Sequence, residues 1–167
     1  MSMTLDSRYK VTKGVINQSA TQTDTGVTAT AKEVVGSRVN VNPREAGNGR
    51  TYKWTLGGAI GAGGNAAATI VLYFNGTAVC TQTMAQSDAK DWFCEIVCVC
   101  VNTASQKSIG FVCQQGEESA ANYDAATVDT SGGGAFYVKI ASGNASDSIQ
   151  CEVCIVEVWD ATPMATS

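Results

Sequence analysis

Alternation of apolar and polar residues with a period of two runs through most of this 167-residue chain and limits the fold more than any other feature. We find no stretch with the 3.6-residue apolar stripe of an amphipathic helix, whereas alternation is typical of strands that bury one face. The pattern therefore predicts an all-β protein. We predict nine strands, over residues 9–17, 35–42, 51–62, 67–74, 77–84, 91–101, 107–114, 135–142 and 148–159.

Turn signals separate these segments and indicate how they are connected. Asn75-Gly76 predicts a type I′ hairpin, because that turn needs positive φ at both central residues. Short strands without intervening helices indicate a sandwich or barrel. About eight core strands after a leading one favour a jelly-roll β-sandwich over an immunoglobulin fold, since no tryptophan lies between paired cysteines.

The length of the chain is typical of a single domain. We assign residues 1–20 to an N-terminal arm or leading strand, 21–160 to the jelly roll and 161–167 to a C-terminal tail. The sequence shows neither an apolar leader nor a run of about 18 apolar residues, so we expect no secretion signal and no membrane contact.

Seven cysteines in a chain without histidine raise the question of a metal site, disulfides, a nucleophile or plain core packing. In "DWFCEIVCVCVNT" (91–103), Cys94, Cys98 and Cys100 share one strand face, where parallel side chains do not converge on one ion. The "CEVC" at 151–154 has CxxC spacing, but mid-strand we expect its two cysteines to face opposite ways. We therefore predict reduced cysteines that pack in the core, with no metal and no cofactor.

Both faces of the predicted strand 91–101 are nearly apolar. Trp92, Cys94 and Ile96 begin one row, and Phe93, Val97 and Val99 belong to the other. A strand that is apolar on both sides is covered twice, so we expect the second face to meet another subunit or the leading arm.

Catalysis has little support in the composition. Without histidine, Ser-His and Cys-His nucleophile systems are excluded. "GAGGNA" (61–66) lacks the Gly-Lys-Ser/Thr of a phosphate loop. We expect a protein that is not an enzyme.

Charge is distributed unevenly along the chain. The net charge is −4, yet residues 1–53 carry 8 Lys and Arg against 4 Asp and Glu, and residues 54–167 carry 3 against 11. The basic residues do not form a concentrated patch, so we do not expect nucleic acid as a partner. A basic start on an acidic body instead predicts that Arg8, Lys10 and Lys13 attach the chain to an acidic protein surface or to a neighbouring copy of itself.

One long connection, residues 115–134, exceeds ordinary loop lengths and is a candidate interaction loop. It contains Glu117, Glu118, Tyr123, Asp124 and Asp129, whose oxygens could also bind calcium, although their spacing matches no calcium loop. We favour a solvated acidic loop or one that grips a neighbouring subunit.

The segments "YKWTLGGAIGAGGNAAATIVLYFNGTAV" and "VDTSGGGAFYVKIASGNASDSIQCEVCIVEVW" resemble the small jelly-roll structural proteins of tailed bacteriophages. The resemblance covers about residues 50–159 and consists of turn chemistry and patterning. It implies a capsid decoration (cement) protein or a head or tail fibre domain, located on the capsid surface of the virion and folded in the host cytoplasm. It also implies contact with the major capsid protein or other virion proteins, and a homo-oligomer, with a trimer first and a dimer second.

A fibre-tip or receptor-binding module that recognises host surface glycan is the alternative. Such a site needs exposed aromatic side chains beside polar groups. Only Tyr123 lies in the predicted long loop, whereas the other tyrosines and the tryptophans, apart from Tyr9 at the start of the leading strand, lie in the predicted core strands.

Overall fold

The computed structural model describes residues 9–19, 23–24, 30–43, 49–61, 67–84, 90–115, 120–143 and 148–163. Its strands are β1 (Tyr9–Ser19), β2 (Thr23–Asp24), β3 (Lys32–Glu33), β4 (Val39–Val41), β5 (Arg50–Gly61), β6 (Ala68–Phe74), β7 (Thr77–Met84), β8 (Lys90–Asn102), β9 (Ser105–Gln114), β10 (Ala120–Ala126), β11 (Gly134–Ala141) and β12 (Ser148–Pro163). No helix long and apolar enough to cross a membrane occurs in this part of the chain.

The strands form two antiparallel sheets packed as a sandwich. The larger sheet has the order β1-β12-β5-β8-β9-β10, with β2 also paired to β12, and the smaller sheet has the order β3-β11-β6-β7, with β4 also paired to β11. Without β9 and β10, the chain alternates between the sheets in the order of a jelly roll. The predicted fold class is confirmed, and the hairpin β9–β10 widens its larger sheet.

Each of the nine predicted strands overlaps an observed one, and the differences lie in short or exposed segments. The prediction of one long loop over 115–134 is wrong, because β10 lies inside it and pairs with β9 along its whole length. β12 continues to Pro163, three residues beyond the position at which we placed the end of the jelly roll. We did not predict β2 and β3, because strands of two residues are too short to show alternation in the sequence.

The Asn75-Gly76 turn between β6 and β7 has the predicted geometry. Asn75 has a φ of 46° and Gly76 a φ of 91°, both in the left-handed region. Asn75 also accepts a hydrogen bond from the Ala135 amide at its Oδ1 and donates one from Nδ2 to the Gly133 carbonyl. The turn is thereby fixed to the start of β11.

An aromatic cluster around Trp54 lies in the core between the two sheets. Its indole lies 6.0 Å from the rings of both Tyr52 and Phe136, and Nε1 donates to the Ser37 carbonyl. The Ser37 hydroxyl accepts from the Val138 amide, so the buried polar atoms of this cluster are hydrogen-bonded.

A β-bulge in β12 shapes the larger sheet. The register with β5 shifts between Cys151 and Val153, opposite Gly58. A Cβ on Gly58 would overlap the Gln150 carbonyl oxygen, and the same oxygen accepts a hydrogen bond from Trp92 Nε1 at 3.0 Å. Glycine is therefore required where the bulge approaches β5.

Candidate interaction surface

The outward face of the larger sheet carries a group of large apolar side chains that solvent reaches. Their exposed fractions run from 39% to 61%. We call them the outer patch: Phe93, Val101, Ile109, Phe111, Tyr123 and Val153.

The strand register makes most of this patch continuous. Ile109 lies opposite Val97 of β8 on one side and Tyr123 of β10 on the other. Phe111 is the next outward residue along β9, opposite Glu95. Side chains that are directly opposite on one face lie about 5 Å apart, so these residues form one surface across three strands.

β9 is folded with its apolar side outward. Its inward residues include Gln106 and Ser108, which are 0% and 2% exposed, whereas the outward Ile109 is 53% exposed. The usual arrangement on an antiparallel sheet is the reverse, with apolar residues inside and polar residues in water. β10 repeats the inversion, because Tyr123 faces outward and its neighbours Asn122 and Asp124 share the side of Gly110 and Ser108.

Polar contacts stabilise the inward side of this hairpin. Gln106 donates to the Val128 carbonyl and accepts from the Val128 amide, both at 3.0 Å, as a neighbouring strand would. Gln82 of the smaller sheet packs on Gly110, where any Cβ would overlap its side chain. The inversion is therefore built into the packing of the described residues.

Asp124, one of the predicted site residues, holds the two sheets together at their edge. Its Oδ2 accepts hydrogen bonds from the Thr81 amide at 2.9 Å and from Asn122 Nδ2 at 3.2 Å. Asn122 also donates to the Thr81 carbonyl. Two side chains of β10 thus pair with the backbone of β7, beside a crevice of about 210 Å³ between β7 and residues 124–128.

The other predicted loop residues do not join Asp124 in one site. Tyr123 lies in the outer patch and is 61% exposed. Asp129 accepts from the Ser131 amide at 2.8 Å, and hydrogen bonds from the Ser131 hydroxyl and amide lower the pKa of its carboxyl group. Glu117 and Glu118 lie outside the described residues. The described residues of the predicted interaction loop thus lie in three places: Tyr123 in the outer patch, Asp124 at the contact between β10 and β7, and Asp129 in a turn.

Two of the three predicted attachment residues lie in the strand at the opposite edge of the larger sheet. Lys10 and Lys13 lie in β1, which pairs with β12 from Tyr9↔Pro163 to Ser19↔Cys154. Arg8 lies outside the described residues. For residues 9–19 the structure shows a leading strand in the sheet rather than an arm that covers its face.

The cysteine row of β8 has the predicted arrangement. Cys94, Cys98 and Cys100 are each 0% exposed and lie on the inward face with Trp92 and Ile96. All seven cysteines, which lie in the described residues, are free thiols, and no three or more Cys, Asp or Glu side chains of the described residues are grouped so that they could hold a metal ion.

The prediction that Cys151 and Cys154 face opposite ways is wrong. The bulge between Cys151 and Val153 adds one residue to the strand, so both cysteines point inward and each is 1% exposed. Burial raises the pKa of Cys151 to about 11 and that of Cys154 to about 12. The same cause raises the pKa of Cys80 in β7 to about 12.

The outward face of the smaller sheet is different. Tyr73 and Tyr137 stack with ring centroids 5.7 Å apart, and Lys139 Nζ lies 5.5 Å and 5.7 Å from the two rings. Arg38 lies over Tyr137 and forms a bidentate ion pair with Glu33. These aromatic rings are covered by cations of the same chain.

Sequence reasoning missed Ile109 and Phe111 as surface residues. Alternation in "KSIGFVCQ" shows that they share a face with Lys107, but it does not show which face is inward. The sequence gave conflicting signals about which face is buried. The charged Lys107 lies on the face of Ile109 and Phe111, but the other face is also polar, with Gln106, Ser108 and Gln114.

No family model matches the sequence, and a search of curated proteins finds no match. Among solved structures, the chain is similar to peanut lectin with the nonapeptide PVIWSSATG. The similarity has a TM-score of 0.36 and 6% sequence identity, and it covers 93% of this chain and 100% of that chain.

Proposed function

We propose that this chain is a non-enzymatic structural protein of a bacteriophage virion, a capsid decoration (cement) protein that binds the outside of the head and stabilises the shell. The observation that carries the proposal is the inverted hairpin β9–β10, which presents Ile109, Phe111 and Tyr123 to the outside. An extended apolar face on a folded domain is typical of a surface for assembly with other proteins. The resemblance to small phage jelly-roll proteins supplies the virion context.

The basic N-terminal region gives the proposed capsid contact. Arg8, Lys10 and Lys13 precede or lie in β1, the edge strand of the larger sheet, whereas residues 54–167 are acidic. An edge strand with lysines resists pairing with other edges and offers positive charge to a partner. We propose that the partner is an acidic surface of the major capsid protein or of another virion protein.

The described aromatic residues do not favour the glycan alternative. Tyr123 is the most exposed of them, but its cross-strand neighbour is Ile109 rather than a polar group. The stacked pair Tyr73 and Tyr137 lies beneath Lys139 and Arg38. A sugar site needs an open aromatic face beside hydrogen-bonding groups.

Quantitative mass spectrometry of purified particles tests the proposal. We expect this chain at a copy number comparable to that of the major capsid protein, and we expect particles without its gene to release DNA at lower temperature. Absence from purified particles would refute the virion role. A few copies per particle, confined to tails, would support a fibre instead.

Neutralising the basic residues tests the proposed contact separately. The triple variant Arg8→Gln, Lys10→Gln, Lys13→Gln should weaken particle binding more at low salt than at high salt, because exposed charges are screened over about 8–10 Å near physiological ionic strength. Its melting temperature reports whether β1 still pairs. Unchanged binding by a folded triple variant would contradict this contact.

A further inference from the structure

We propose that the outer patch binds the outer patch of a second copy of this chain, so that two larger sheets pack face to face in a two-fold dimer. The inference rests on the same inverted hairpin as the proposed virion role, but it concerns a contact between copies of the chain and not the capsid contact of the basic N-terminal region. It starts from the inversion of β9: a strand whose outward residues include Ile109 and Phe111, while the buried Gln106 is hydrogen-bonded to Val128 inside, is not organised for water on its outer face.

The exposed area fits one side of a stable interface. From their exposed fractions, the six side chains of the outer patch leave roughly 500 Å² accessible, at about 150–250 Å² for a whole aromatic side chain and less for an aliphatic one. A standard interface buries about 800 Å² on each partner, of which roughly 60% is apolar. The outer patch supplies about that apolar share, and the polar residues around it supply the rest.

The shape of the surface suits an identical partner. The outer patch lies on a broad antiparallel sheet, and such sheets pack face to face at about 10 Å. A single self-complementary patch closes a two-fold dimer, whereas a trimer requires two different patches on every subunit. The structure therefore favours the dimer over the trimer that the sequence analysis placed first.

The charges on this face complement each other across a two-fold axis. Glu95, near the centre, is paired with Lys53 of the same chain. Asp91 and Lys107 lie near opposite ends, because Lys107 is opposite Val99, eight residues from Asp91, or about 26 Å at about 3.3 Å per residue. A two-fold axis across the strands at the level of Phe111 places Lys107 of each copy near Asp91 of the other.

Sedimentation or light scattering of the full chain over a range of concentrations tests the proposal. We expect a dimer at micromolar concentration, and we expect Phe111→Lys to raise the dimer dissociation constant at least about 100-fold, since it places a charge at the centre of an apolar interface. Val35→Lys is the matched control, because Val35 is a 45% exposed valine that lies away from the outer patch. Phe111→Thr, which keeps strand propensity, replaces Phe111→Lys if that variant does not fold.

A charge exchange tests the orientation of the two copies. Asp91→Lys and Lys107→Glu should each weaken the dimer several-fold, and the double variant should recover most of the loss. The two residues are too far apart to pair within one subunit, so recovery requires contact between copies. A monomer or trimer of the wild type, equal weakening by Val35→Lys, or no recovery in the double variant would overturn the proposal.

Discussion

The two sheets of the sandwich differ on both of their faces. On its inward side the larger sheet carries five cysteines beside large residues such as Trp54 and Tyr52, whereas the described inward residues of the smaller sheet include one cysteine, Cys80, and are mainly large: Ile70, Leu72, Phe74, Phe136, Val138 and Ile140. On its outward side the larger sheet exposes the outer patch, whereas the smaller sheet covers Tyr73 and Tyr137 with its own cations.

The two sheets thus differ in whether their outward aromatic and apolar side chains are covered by residues of the same chain. The smaller sheet is complete by itself, because its outward aromatic rings already contact Lys139 and Arg38. The larger sheet is widened by the hairpin β9–β10, whose polar residues are turned inward and whose apolar residues are turned outward. Among the described residues, the outward face of the larger sheet therefore leaves large apolar side chains exposed, whereas the aromatic rings on the outward face of the smaller sheet are covered.

The largest expected effect comes from the buried thiols, most of which lie on the larger sheet. The pKa values of Cys80, Cys151 and Cys154 are raised by burial, so the unfolded chain loses protons from these thiols above the usual value of about 8.5, while the folded chain keeps them. Stability is therefore fully present below about pH 8.5 and falls as pH rises toward 11–12. For Cys80, Cys151 and Cys154, each pH unit removes about 1.4 kcal/mol per thiol.

Denaturant unfolding at pH 8, 9 and 10 measures this loss. Cys154→Ala and Cys80→Ala should each reduce the slope with pH, on the larger and the smaller sheet respectively. Cys113→Ala is the control, since Cys113 is not fully buried. A free energy of unfolding that does not change between pH 8 and pH 10 would contradict the burial of these thiols.

The next effect concerns the bulge that gives the larger sheet its irregular strand. Gly58→Ala should destabilise the fold by about 3 kcal/mol, because the new methyl group overlaps the Gln150 carbonyl. Gly57→Ala is the matched control: its Cβ would lie 3.6 Å from the nearest atom, the Trp92 carbonyl oxygen, and should cost less than about 1 kcal/mol. Thermal unfolding compares the two, and equal losses would argue against the bulge.

Alternation in the sequence was enough to predict the core strands and the jelly roll, because burial of one face requires a period of two. It could not predict the bulge at Cys151, which depends on contacts with Gly58 and Trp92 from distant parts of the chain. Nor could it orient β9, since its inward glutamine is satisfied by Val128, 22 residues away. Of the predicted interaction residues, Tyr123 lies in the outer patch, for reasons that the sequence did not reveal.

A smaller effect is expected where the two sheets meet. Asp124→Ala removes the acceptor for the Thr81 amide and should cost about 1 kcal/mol, the usual net value of one hydrogen bond. Asp124→Asn keeps an acceptor oxygen and should recover part of the loss. Hydrogen exchange of the Thr81 amide should quicken in the alanine variant and less in the asparagine variant. Unchanged exchange would show that Asp124 does not hold β7.

The smallest effect compares one substitution on both outward faces. Lys139→Met removes a cation from the rings of Tyr73 and Tyr137 and should destabilise the fold by about 0.5–1 kcal/mol, the range for exposed cation–π contacts. Lys107→Met removes a charge from the end of β9 and extends the apolar row of Ile109 and Phe111.

We therefore expect Lys107→Met to leave unfolding of the single chain nearly unchanged. It should also promote self-association at low protein concentration, because it adds apolar area beside the outer patch while giving up only the two symmetry-related peripheral ion pairs of the proposed dimer. Thermal unfolding and light scattering of the two variants separate these outcomes. If Lys139→Met promoted association as strongly as Lys107→Met, the outward faces of the two sheets would be equivalent. The proposed difference between the covered face of the smaller sheet and the exposed face of the larger sheet would then be wrong.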